Sequence, residues 1–296
     1  MTSGKILILG GSSFIGRGLF RRLGPEKSVA TYNASPFPGG VKFDARTDRL
    51  SNLGVKKGEF SHAIILLGIT NIDACATDMT GSHELNVGGI KKVIEELYEL
   101  DICPVFASSE MVFDGLKGQY VETDPVNPKV AYGEQKAAVE KFLAENSERF
   151  IVTRIGKVYG TSAEDVSILA EWRQAIDDGT EVVCAHDYIS SAVHLDDLID
   201  AMLSLILAGK AGIYHLGGTE PLSRLDMFEA LLGEMNKVHP VVANMKSCSI
   251  DEVETIEGRP HDISMDCCKL ISETGFSPRD IQTSCHEFVQ AGCVKQ

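Results

Sequence analysis

No apolar run in this sequence is long enough to cross a bilayer; AIILL at 63–67 is typical of the longest. KILILG at 5–10 has the greasiness of a signal-peptide core. Its apolar part, ILIL, has only the single Lys5 before it rather than a basic cluster, and runs straight into glycines and Arg17, which suits a buried strand instead. Positive charge is also in short supply: 28 Lys and Arg against 42 Asp and Glu leave a net charge of −14. A surface this acidic argues against nucleic acid or an anionic membrane as partner. A small anionic ligand is still admissible, because it needs only a local positive site. The eight cysteines show no CxxC spacing, and the eight histidines no HExxH. Free thiols in a reducing cytoplasm are expected, with no disulfide framework and no metal.

What is present is enough for a large core: 296 residues, 44% of them apolar. Short apolar runs alternate with amphipathic stretches. Strands are expected at 5–10, 28–32, 41–43, 62–67, 103–108 and 150–155, and helices at 14–23, 82–100 and 132–146. Several strands are continuously apolar, as strands covered on both faces must be. The order predicts an α/β fold, a doubly wound parallel (Rossmann) sheet, over residues 1–160. Residues 161–296 read as a smaller mixed α/β lobe, with some elements returning to the main sheet. Helices are expected there at 163–178, 195–208 and 223–237, the last capped by Ser223.

GGSSFIG at 10–16 follows the first strand. Gly10 and Gly16 stand six apart at a strand-to-helix junction, where a pyrophosphate needs a tight turn and open helix N–H groups. Ser13 occupies the usual middle glycine, and its hydroxyl is a candidate phosphate donor. Ser12, Phe14 and Ile15 complete the loop. The second strand ends in Asn33 rather than the acid that binds a ribose 2′-hydroxyl. NADP(H) is therefore expected over NAD(H), with Arg17, Arg21 and Arg22 as nearby positive charge. Asp44 is a candidate for the adenine amino group, the alternative being a solvated carboxylate.

YGEQK places Tyr132 and Lys136 one helical turn apart. An ammonium beside a phenol lowers its pKa, which would make Tyr132 an acid/base for a carbonyl or alcohol. In a chain with seven tyrosines, that spacing alone means little. FASSEMVFDG ends the fifth strand with Ser108 and Ser109, where parallel sheets bind ligands.

Taken in order, these stretches resemble the extended short-chain dehydrogenase/reductase family, and within it the dTDP-4-dehydrorhamnose reductases and their relatives. Those relatives include the regulatory subunit of methionine adenosyltransferase. GGSSFIG resembles the family's GxxGxxG; SSEMVFDG resembles STDYVFDG; NPKVAYGEQKAAVE resembles NPxxxYGxSKxxGE. The stretch NIDACATD to ELNVGG, with Asn86, and the later TRIGKVYG, SSAVHLDDL, YHLGGTEPLSRLDM and GRPHDISMD continue the series. The resemblance implies a reductase of a nucleotide-linked keto sugar, first of all a 4-keto-6-deoxy sugar. Ser109, Tyr132 and Lys136 would be its catalytic trio, and Leu67 and Gly68 would join the cofactor loop. Glu110, Met111, Lys157 and Arg259 would meet the substrate, Arg259 through its phosphates. Relatives often form homodimers through helices like 82–100 and 132–146, and packing against the sheet requires such a face as well. Three residues depart from the rhamnose-type pattern: Met111 stands for a tyrosine, Lys157 for a tryptophan and Ser191 for a proline. Glu110 keeps an epimerase or dehydratase open, and fold analogy keeps a non-catalytic, cofactor-binding regulatory subunit open.

Overall fold

The computed structural model describes residues 4–162 and 167–293. In chain order the elements are β1 (Lys5–Leu9), α1 (Phe14–Leu23), β2 (Ser28–Tyr32), β3 (Gly40–Lys42), β4 (Phe60–Ile65), α2 (Ile72–Thr77), α3 (Met79–His83), α4 (Ile90–Glu99), β5 (Cys103–Ser109), α5 (Ala131–Asn146) and β6 (Ile151–Ile155). There follow β7 (Val158–Tyr159), α6 (Ile168–Asp177), β8 (Val182–Ala185), β9 (Ile189–Ser190), β10 (Val193–His194), α7 (Leu195–Leu207), β11 (Gly212–Leu216), β12 (Leu222–Ser223), α8 (Arg224–Val238), β13 (Met245–Cys248), α9 (Cys268–Thr274) and α10 (Ile281–Cys293). Of the helix expected at 163–178, residues 163–166 lie outside the described residues. The helix expected at 82–100 is interrupted: a π-helical turn, Glu84–Gly89, joins α3 to α4.

Seven strands pair in the order β11-β6-β5-β4-β1-β2-β3. Every pairing is parallel. This is the doubly wound sheet that the unbroken apolar runs predict. Alternation along β1 divides the interior. Ile6 and Ile8 pack on one face with Leu198, Met202 and Leu205 of α7. Leu7 and Leu9 pack on the other with Ile90, Ile94 and Leu97 of α4. β11 comes from beyond residue 160, yet completes the main sheet against β6. The strand order reverses between β1 and β4, so helices leave in opposite directions there and a crevice opens at the carboxyl ends.

A separate core lies under α6, α8 and α10, around Leu169, Trp172, Phe228, Leu231 and Phe288. Trp172 meets Phe228 edge to face, with ring centroids 5.3 Å apart. Ser223 caps α8 as expected, in a reciprocal capping box with Asp226. Phe228 is fully buried. Phe228→Ala is expected to cost about 3–5 kcal/mol in a urea titration; a loss below about 1 kcal/mol would mean that this core does not support the fold.

Candidate active site

The turn after β1 is built on close backbone contact. Gly10 has φ 93°, and a Cβ there would stand 2.9 Å from the Leu66 carbonyl. A Cβ on Gly16 would come within 2.4 Å of the Gly10 oxygen. Ser13 Oγ donates to Gly10 O at 2.8 Å and accepts from Gly16 N–H at 3.1 Å. This corrects the expected role of its hydroxyl. The hydrogen is committed to the turn, and Ser13 serves as the N-cap of α1. No acid sits in the first turn of α1. Its positive end and its open N–H groups therefore suit an anion.

β5 ends in Ser109, whose Oγ accepts from Met111 N–H at 3.2 Å and caps a short 3₁₀ turn, Glu110–Val112. The first turn of α5 packs directly on it. A Cβ on Gly133 would lie 2.1 Å from Met111 O, so only glycine allows this approach. It brings Tyr132 up against Ser109, near enough for the serine hydroxyl to act on the phenol. One turn on, Lys136 Nζ donates to Ala107 O at 2.6 Å and lies 4.7 Å from the Phe106 ring centroid. One turn further, Glu140 accepts from Ser108 Oγ and pairs with Arg154 at 2.8 Å, both side chains buried.

The ionisation differs from the expectation that Lys136 lowers the Tyr132 pKa. Burial pushes the Tyr132 phenol well above its ordinary value, with the neighbouring Ser109 side chain opposing. Lys136 is 5.6 Å from the tyrosine ring centroid and spends its short bond on Ala107. Burial lowers Lys136 itself to about 8, against the attraction of Glu140. Tyr132 is thus held as a neutral acid.

Tyr132 and Lys136 line a cleft of about 420 Å³. Ser13, Phe14 and Ile15 from the glycine turn also line it, as do Ser109, Glu110, Met111 and Lys157. Glu110 is buried and accepts from Ser191 N–H at 3.3 Å; burial raises its pKa to about 8. The glycine turn, the capped helix start and the cleft between them fit a dinucleotide, since the Gly10 and Gly16 contacts leave no room for side chains. Among the described residues no cluster of His, Cys, Asp and Glu is placed to hold a metal. Nor is any described helix long and apolar enough to cross a membrane.

The sequence model of the RmlD substrate binding domain matches residues 4–293. The chain belongs to that family. Among its relatives, the spore coat polysaccharide biosynthesis protein SpsK of Bacillus subtilis is 24% identical over 97% of each chain. The methionine adenosyltransferase 2 subunit beta of Rattus norvegicus is 22% identical, over 90% of this chain and 82% of its own. A dTDP-4-dehydrorhamnose reductase from Bacillus anthracis, solved in complex with NADP, superposes with a TM-score of 0.81 at 20% identity, covering 96% of this chain and 98% of that one. The RmlD family assignment and that superposition agree with the expected Rossmann fold.

Other expected residues of this RmlD-family chain stand off the cleft. Ser12 uses its carbonyl to accept from Arg17 Nε, which keeps its charge, whereas Arg22 pairs with Asp200. Asp44 is chelated by the Arg46 guanidinium at 2.7 and 3.0 Å, which with Asn33 holds its carboxyl down at about 2. Leu67 packs toward the α4 side of the sheet while Leu66 lines the cleft, a consequence of strand alternation. Gly68, at φ 133°, abuts Asn86 Oδ1. Asn86 in turn donates to Gln135 Oε1 at 2.7 Å, tying the π-helical turn to α5. Arg259 does not line the cleft: its Nη2 pairs with Asp73 at 2.7 Å and its Nη1 donates to Glu257 O. Reasoning from the sequence passed over Tyr188 and Arg224, which both line the cleft. Arg224 is the first residue of α8. Nothing in helical spacing points such a residue at the end of β5, 115 positions earlier.

Two outcomes follow from the caps and charges. Ser13→Ala is expected to cost about 1 kcal/mol of stability and Ser13→Gly a few tenths. Neither should tighten NADPH binding by calorimetry. A large gain for the glycine variant would mean that the serine obstructs the loop. For Glu110, the folded protein retains a proton that the unfolded chain releases between about 4.5 and 8. The stability this lends is full below 4.5 and is lost as pH rises toward 8. Lys136, lowered to about 8, acts in the opposite sense and only above that pH. Glu110→Gln should therefore flatten the decline in urea stability between pH 4.5 and 8; an unchanged decline would show that Glu110 titrates normally.

Proposed function

We propose that the chain is an NADP(H)-dependent reductase of a nucleotide-linked keto sugar. The observation that carries this reading is the meeting, in one cleft, of Ser109, Tyr132 and Lys136 with the glycine turn. The relative named a dTDP-4-dehydrorhamnose reductase supports the substrate class, and the NADP bound in its structure supports the cofactor. Asn33, in place of an acid at the end of β2, supports the 2′-phosphorylated form.

The dinucleotide, when bound, supplies the hydride. This chain's residues do the rest. Tyr132, kept neutral by burial, gives its proton to the keto oxygen. Ser109 orients that oxygen from the end of β5. Lys136 keeps N–H donors beyond the one spent on Ala107 for the ribose hydroxyls, and its charge favours the phenolate left behind. Gly10, Gly16 and the start of α1 take the pyrophosphate, with Phe14 and Ile15 as the wall.

The test pairs calorimetric titration with NADPH and NADH against turnover on nucleotide-linked keto sugars, 4-keto-6-deoxy sugars first, followed at the nicotinamide absorbance. Tyr132→Phe is expected to lower kcat about 10²–10⁴-fold while leaving NADPH affinity unchanged. Tight NADPH binding with no turnover on any sugar would sink the reductase. It would favour a non-catalytic, cofactor-binding role, as a subunit of another enzyme in the way that the name of the rat relative, methionine adenosyltransferase 2 subunit beta, describes.

A further inference from the structure

The cleft contains an unanswered positive charge. Arg224 lies with its guanidinium carbon 5.3 Å from the Tyr188 ring centroid. Its Nη1 is buried and has no hydrogen-bond partner. Lys157, half-buried at the end of β6, lines the same cleft. The two cations are close enough for Arg224 to disfavour the charged form of Lys157, in addition to the effect of burial. Among the described residues, no carboxylate forms an ion pair with either of them. Two acids act on Lys157 from a distance, Glu171 and Glu110. Glu171 is exposed, and Glu110 holds its proton at neutral pH. A buried guanidinium N–H without an acceptor is costly, and a protein retains one where a ligand supplies the acceptor.

We propose that Arg224 and Lys157 form a subsite for a carboxylate on the reacting sugar, so that the substrate is an acidic keto sugar. This inference rests on the nucleotide-sugar reductase reading. It replaces the 6-deoxy sugars with acidic ones as the substrate class. A planar guanidinium matches a carboxylate with two parallel hydrogen bonds, and Lys157 adds charge without demanding geometry. The position favours the sugar over the diphosphate. Both cations act on Glu110, the chain neighbour of Ser109, so the charge lies at the reacting end of the cleft. The pyrophosphate-type site is at the start of α1, on other elements. Lys157 stands where the rhamnose-type pattern has a tryptophan, a change from an apolar wall to a cation.

The experiment compares glucose and glucuronic acid linked to UDP and to dTDP, titrated calorimetrically into the protein with NADP⁺ present. Each pair differs only in the sugar carboxylate. The wild-type protein is expected to bind the glucuronic acid form at least tenfold more tightly. Arg224→Gln should abolish that preference and leave the glucose form unaffected, Lys157→Met should reduce it, and Arg224→Lys should retain part. Thermal melting verifies that each variant is folded, and if Arg224→Gln is not, Arg224→Lys and Lys157→Met decide. Absence of any preference in the wild-type protein overturns the inference. So does equal weakening of both sugars by Arg224→Gln, which would assign the guanidinium to the diphosphate. NADP⁺ binding with no binding of any of the four nucleotide sugars would overturn the underlying reading, and this inference with it.

Discussion

The approach of α5 to the end of β5 is the constraint on which the cleft depends. At Gly133 the helix backbone comes so near Met111 O that no side chain fits between them. From that contact, Tyr132, Lys136 and Glu140 follow at intervals of four along one helix face. Each meets a different level of the strand: Ser109, then Ala107 O, then Ser108. The Arg154 pair with Glu140 fixes the far end, so the helix is held at two points and the phenol, next to the first of them, is aimed rather than merely nearby.

Burial then sets the protonation of everything at this end. It pushes Tyr132 and Glu110 up and Lys136 and Lys157 down, in each case toward the neutral form. Perturbations gathered in one cleft are what proton-transfer sites require. A reductase that must start with a protonated phenol is well served by this dryness. Lys136 retains a counter-charge in Glu140 one turn below, which limits how far its own charge is suppressed.

The departures from the rhamnose-type pattern do different work. Met111 and Lys157 line the cleft itself. Ser191 does not: its Oγ donates to Met265 O and accepts from Met265 N–H, while its own N–H donates to Glu110. One substitution therefore changes the wall chemically, and another supports the loop that steadies a buried acid. Arg224 and Tyr188 arrive at the same cleft from the second half of the chain.

The sequence by itself determined the doubly wound sheet, because continuous apolar strands need cover on both faces and glycine must stand where backbones touch. It also determined the glycine turn and the Tyr132–Lys136 pair, both products of local spacing. Tertiary structure alone decided that Ser13 caps rather than donates outward, and that Arg259 pairs with Asp73. It also decided that Asp44 is taken by Arg46, and that Arg224 completes the cleft. Each of those outcomes depends on which side chain, distant in the chain or across a turn, reaches a polar group first. Periodicity cannot encode that competition, since it says which face a residue lies on and nothing about what the fold brings to meet it.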